Sequence, residues 1–210
     1  MLLRALSLLL LLLPPGAALA AAPSFDCAKA ATEAEQAVCA EENLAALDRE
    51  LARLYDLALN GPHASPESAK ELKAYQRGWV KGRNACWKDG EAANDCVAES
   101  YVLRIHELRE GYMDARAADE VGASLGPLAY ACDGLDAGLS AVFVNVGEAR
   151  FASLKWRQNA VVLSQAIAAS GARYTGKNYA GEHEFWTKGR EASLTLPDRG
   201  PLQCQVDATG

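Results

Sequence analysis

Between residues 32 and 59, Leu44, Leu47, Leu51, Leu54 and Ala58 recur at alternating steps of three and four, with Glu, Asp and Arg between them. That period lines the apolar side chains along one stripe of an α-helix. Asn60-Gly61-Pro62 stops the pattern, and Ser65-Pro66-Glu67 then supplies an N-cap, a proline at the first helical position and an early acid. A second helix follows on Leu72, Tyr75, Trp79 and Val80. A third stripe, Val97, Tyr101, Ile105, Leu108 and Tyr112, carries the helical pattern to Ala118.

Beyond residues 122–127, a Gly- and Pro-bearing linker, the period changes. Segments 139–146, 150–156, 160–167, 184–187, 192–196 and 202–206 are rich in strand-forming residues, and turn signals such as Asp133-Gly134, Ser170-Gly171 and Lys188-Gly189 separate them. Short strands joined by tight turns predict an antiparallel sandwich or barrel. The fold class is therefore α+β multidomain, with a disulfide-linked α-helical hairpin domain over 21–121 followed by a β-domain over 128–210.

Residues 1–20 carry one Arg, a leucine run from Leu6 to Leu13 and Ala18-Leu19-Ala20. This reads as a signal peptide: its apolar core is too short to span a bilayer, and small residues precede the expected cleavage after Ala20. Cys27 follows Ser24-Phe25-Asp26 rather than a lipoprotein box, so a soluble periplasmic protein without a membrane anchor is expected. Export turns the six cysteines into disulfide candidates. Cys132 and Cys204 bracket the strand region and are expected to pair. In the helical half, hairpin geometry centred on the Gly61-Pro62 stop favours the nested bridges Cys39–Cys86 and Cys27–Cys96, with two other pairings open. Charge divides the halves too: residues 21–121 hold 19 acidic against 12 basic residues, and 122–210 hold 8 of each. An acidic exported chain argues against nucleic acid or an anionic membrane as partner and suits a basic protein target.

Catalytic motifs are sparse. His63, His106 and His183 have no companions at metal-ligand spacing, and no HExxH or GxSxG occurs. Gly171 to Lys177 has the spacing of a phosphate-binding loop, but Asn178 replaces the hydroxyl residue that holds magnesium, and more loop follows where a helix is required. Glu182 and Glu184 are the nearest candidates for a paired-carboxylate enzyme acting on peptidoglycan. The chain reads as a non-enzyme that needs no cofactor and no metal.

Ser170-Gly-Ala-Arg-Tyr174 followed by Phe185-Trp-Thr-Lys188-Gly-Arg-Glu-Ala192, opened by Tyr130-Ala-Cys132 and closed by Cys204, resembles the paired signatures of the MliC/PliC family of c-type lysozyme inhibitors. The resemblance implies an eight-stranded antiparallel barrel and c-type lysozyme as partner. It places Ser170 and Lys188 in the lysozyme cleft, with Gly171, Arg173, Tyr174 and Gly189 beside them, and gives Tyr174, Phe185 and Trp186 the task of fixing the loops. Cys27, Cys39, Leu47-Asp48-Arg49, Gln76-Arg77-Gly78-Trp79, Cys86, Cys96 and Arg104 resemble the helical domain of the LprI family, which permits a second lysozyme-binding surface. Ser170 and Lys188 stand 18 positions apart, more than the family pattern implies, and the extra residues fall in 176–184. They are expected to form a longer loop, offering contacts through Lys177, Asn178 and His183. A reading of another class is an envelope adaptor whose barrel binds cell-wall fragments or a periplasmic partner.

Overall fold

The computed structural model describes residues 21–117 and 122–207. The leader read at 1–20 lies outside the described residues. Five helices come first: α1 (Glu33–Ala40), α2 (Glu42–Asn60), α3 (Pro66–Arg83), α4 (Ala93–Gly111) and α5 (Met113–Arg116). The single helix expected over 32–59 is broken at Glu41, whose backbone is extended. A phase slip is its cause. Val38 and Leu44, both buried, stand six apart, out of step with the helical period, and the break lets both stripes face one core. Thr32 caps α1 in a reciprocal box with Glu35; Ser65 caps α3, with Pro66 in its first turn and Ser68 closing the box.

The helical bridges correct the sequence expectation. Cys27 is bonded to Cys39 and Cys86 to Cys96, in place of the nested Cys39–Cys86 and Cys27–Cys96. The nested register required one continuous antiparallel hairpin, and the chain breaks it twice. A 3-10 turn at Cys27–Lys29 folds back on the end of α1, and a second 3-10 segment, Cys86–Ala92, reverses at Gly90 with φ of 58°. Each bridge therefore closes a local reversal, 12 and 10 residues long.

Eight antiparallel strands, β1 (Ser124–Cys132), β2 (Leu139–Val146), β3 (Ala149–Trp156), β4 (Asn159–Ala166), β5 (Ala172–Asn178), β6 (Gly181–Lys188), β7 (Glu191–Leu196) and β8 (Arg199–Val206), close into a barrel in sequential order. Closure falls between β1 and β8, where Cys132 pairs with Cys204 and is bonded to it. Most of the segment expected as a linker is strand: β1 begins at Ser124. Pro127 sits inside a register shift between Leu125 and Leu128, so its missing N–H disturbs the ladder little. Strand β5, read as loop because of its Gly and polar residues, is held by full pairing with β6. The 176–184 segment is thus a hairpin with a tight turn.

Alternation gives the barrel two buried surfaces. Leu139, Ala141, Leu154, Leu163, Phe185 and Leu194 fill the interior. Val142, Val144, Val146 and Val162 point outward from β2 and β4 and join the helical core with Leu47, Leu54, Val102 and Ile105. The two halves therefore share a hydrophobic layer, and polar contacts cross it. Arg109 donates to the Gly126 carbonyl at 2.6 Å, Glu50 accepts from the Ser124 hydroxyl, and His106 lies between Ser153 and Ser140, each 2.9 Å away.

Candidate functional site

Ser170 lies in the β4–β5 connection and Lys188 ends β6. Because Ala172 pairs with Thr187 across β5 and β6, both fall on the same rim of the barrel. Their side chains border one shallow depression of about 190 Å³, together with Trp186, Glu191, Ser193 and Gln203. Trp186 points to the outer wall and donates its indole N–H to the Ser170 carbonyl at 2.8 Å, which pins the serine loop to the lysine strand. Gly171 turns there with φ of 69°, and a Cβ on it would strike the Thr187 carbonyl. Gly189 follows Lys188 with φ of 62° and open space around it.

These two glycines give a graded prediction. Gly189→Ala carries only the left-handed backbone penalty, about 1–2 kcal/mol. Gly171→Ala adds a clash with backbone, so it is expected to lower the thermal midpoint further and to loosen the Ser170 loop. Differential scanning calorimetry of both variants checks the order.

The remaining sequence-assigned residues behave as scaffold. Tyr174 is buried in the barrel interior, its ring 5.6 Å from Phe143, and burial pushes its phenol pKa up. Phe185 is fully buried and packs edge-on to Tyr130 at 5.3 Å. Arg173 faces outward but is engaged by Glu184, with Nη2 2.6 Å from a carboxylate oxygen. Glu184 is thereby committed to an ion pair, and Glu182 is exposed on the same outer wall rather than in a cleft. Sequence reasoning passed over Glu191 and Ser193, although buried Ala192 and Leu194 signal by alternation that both point outward. It also passed over Ile167, 97% exposed in the serine loop.

The residues read as a possible phosphate loop, 171–177, run into strand β5, with no helix N-terminus to receive a phosphate. His106 and Ser153 form a Ser–His contact, yet both are fully buried where α4 covers β2 and β3, so no substrate reaches them. His63 is engaged by Asp114, its Nδ1 2.7 Å from a carboxylate oxygen; the hydrogen bond holds that carboxyl below its usual range.

The helical signature residues likewise turn inward. Asp48 accepts from the Tyr101 hydroxyl at 2.9 Å, and Arg83 donates to that same oxygen at 2.6 Å. The Arg83 guanidinium lies 5.3 Å from the Trp79 ring centre, and the Trp79 indole donates to the Ser100 carbonyl. Gln76 accepts from Arg104 at 3.1 Å. These residues hold the helices together.

A disulfide-stapled helical layer joined to a closed antiparallel barrel, each matching a lysozyme-inhibitor family, puts the protein in the lysozyme-inhibitor class. Residues 130–203 match the family described as membrane-bound lysozyme-inhibitor of c-type lysozyme, and residues 27–108 match the family described as lysozyme inhibitor LprI. Lipoprotein LprI of Mycobacterium tuberculosis is 33% identical over 174 residues, which is 83% of this chain and 80% of that protein. Lipoprotein LprI of Mycobacterium bovis matches to the same extent. The chain belongs to the LprI family. Among the described residues no helix is long and apolar enough to cross a membrane.

Proposed function

We propose that the protein inhibits c-type lysozyme in the periplasm by inserting the Ser170 loop and Lys188 into the active-site cleft, without catalysis or cofactor. The observation that carries this reading is the indole-to-carbonyl bond from Trp186 to Ser170, which presents the two loops as one rigid unit on an exposed rim. Preorganisation of that kind lowers the ordering cost of binding.

The target chemistry fits the pair. A retaining glycosidase such as lysozyme holds two carboxyl groups about 5 Å apart, one ionised and one kept protonated as general acid. An ammonium on a flexible stem can pair with the ionised group. A serine hydroxyl both donates and accepts, so it can meet the protonated one. Neither offers a glycosidic bond, and the cleft is occupied without turnover. The acidic helical half, net −7 over residues 21–121, adds a long-range field suited to a basic enzyme.

The test is a lysis assay of cell-wall substrate with a c-type lysozyme. The intact protein is expected to inhibit, and Lys188→Ala to weaken inhibition at least about tenfold, equivalent to 1.4 kcal/mol. Inhibition unchanged in Lys188→Ala moves the site off this rim. Absence of inhibition across several c-type lysozymes sinks the reading and favours the envelope adaptor.

A further inference from the structure

The opposite mouth of the barrel holds a cavity of about 450 Å³. Its volume is within the roughly 300–1,000 Å³ range of small-ligand pockets. The β3–β4, β5–β6 and β7–β8 turns surround it, and Trp156 and His183 line it with ring centres 5.9 Å apart. We propose that this mouth is a binding site for a short N-acetylated amino-sugar glycan, with Trp156, His183, Asn159, Asn178, Arg157 and Arg199 as its contacts.

His183 is the first ground. It is 4% exposed, and its Nδ1 donates to the Gly181 carbonyl at 2.9 Å, which fixes the orientation of the ring. Among the described residues no hydrogen-bond partner meets its Nε2, and the side chain lines the cavity. The free edge of the ring opens onto the cavity, where it can meet a polar group of a ligand.

Backbone strain is the second. Arg157 is the one non-glycine residue with positive φ among the described residues, at 50°. Asn or Gly fills such a turn at lower cost. The Arg157 side chain reaches the Asp136 carbonyl at 3.1 Å and lies along the cavity edge.

Charge and composition select the ligand class. Two arginines at the mouth face two aspartates, Asp136 and Asp198, and Arg157 is already 3.7 Å from the Asp136 carboxylate. The lining is thus balanced and favours a neutral polar ligand over a polyanion. An aromatic wall takes the apolar face of a sugar ring. The side-chain N–H groups of Asn159 and Asn178 make only 3.4 Å contacts with backbone carbonyls and can donate to an acetamido oxygen. The Asn178 oxygen is already engaged by the Ala180 N–H at 2.8 Å. Asn178 and His183 lie in the β5–β6 hairpin, at the far end from Ser170 and Lys188.

The experiment is isothermal titration of the two-domain protein with an N-acetylglucosamine trimer and, separately, with a soluble muropeptide, alongside NMR of the Trp156 indole N–H. Saturable binding in the range of about 1 mM, with a shift of the Trp156 signal, is expected for at least one glycan. Binding of both, or of the muropeptide alone, names the cell wall as a source; binding of the trimer alone names a free amino-sugar glycan. Arg157→Asn, which relieves the turn and should not unfold the barrel, combined with Arg199→Ala, is expected to weaken binding at least about fivefold. Lys188→Ala leaves it unchanged, which separates this site from the inhibitory rim. No saturation by either glycan, or binding undiminished in the folded double variant, overturns the proposal.

Discussion

Asp48→Ala lowers the unfolding free energy by about 1.5–3 kcal/mol, the cost of losing hydrogen bonds to a buried charged acceptor. Asp48 is 5% exposed and accepts from the Tyr101 hydroxyl and, at 2.6 Å, from the Ser24 backbone N–H. Its loss leaves the Tyr101 hydroxyl and the Ser24 N–H without their acceptor. Arg83 keeps its own partners, Glu35 at 3.7 Å and the Asn84 side-chain oxygen. Burial and the Asp48 charge hold the Tyr101 phenol far above its usual pKa, so the tyrosine stays neutral and bridges cation to anion at any physiological pH. Asp48→Asn keeps the acceptor and the shape and is expected to cost less. Urea titration of the two variants measures the difference; a loss below about 1 kcal/mol for Asp48→Ala would mean the network is solvated and worth no more than a surface pair.

Acidification removes about 3 kcal/mol of stability between pH 6.5 and pH 4, through His106. Burial under α4 drives its pKa down to about 4 from an ordinary 6.5, with Lys155 adding to the fall and Glu110 opposing it. The unfolded chain therefore binds a proton that the folded protein refuses throughout that window. Stability is complete above pH 6.5, is lost progressively as the pH falls, and levels off below the folded pKa. Glu110 acts in the same direction. Burial raises its carboxyl, but the hydrogen bond and charge of Lys155 outweigh this and hold it below its usual value. Denaturant midpoints recorded across the window check the slope, and His106→Gln, which can still reach Ser140 and Ser153, should flatten it. A slope unchanged in His106→Gln would place the acid sensitivity elsewhere.

Both predictions act on the seam between the halves or on the helical layer, which bears on how the rim carrying Ser170 and Lys188 is supported. Strands β2 to β4 carry the serine loop at one end, and their outer faces are covered by helices through Val142, Val144 and Val162. Anything that lifts α4 off this wall exposes three valines and two serines.

The helical stripes on Leu44 to Ala58 and Val97 to Leu108 were legible because one amphipathic face repeats near the helical period, and the structure buries those side chains. The serine and lysine turns were legible because Gly171 and Gly189 mark left-handed positions beside strand-like runs. The break at Glu41 left only a phase slip, and strand β5 left a polar, glycine-bearing segment that local propensity assigns to loop. Pairing to β6 overrides that propensity, because closure of the barrel supplies its backbone with partners on both sides.

By itself, the sequence determined the order of a helical half and a strand half and the apolar faces of each. These are local properties, set by period and turn residues a few positions apart. Only the tertiary structure decided the disulfide pairing, because Cys27–Cys39 and Cys86–Cys96 depend on chain reversals that no stripe encodes. It also decided that residues 176–184 lie at the barrel end away from Ser170 and Lys188, and that His106, ordinary in sequence, lies fully buried between two serines of the barrel. Those outcomes depend on which surfaces meet across long sequence separations, and burial and pairing at such contacts outweigh the small free energies of local preference.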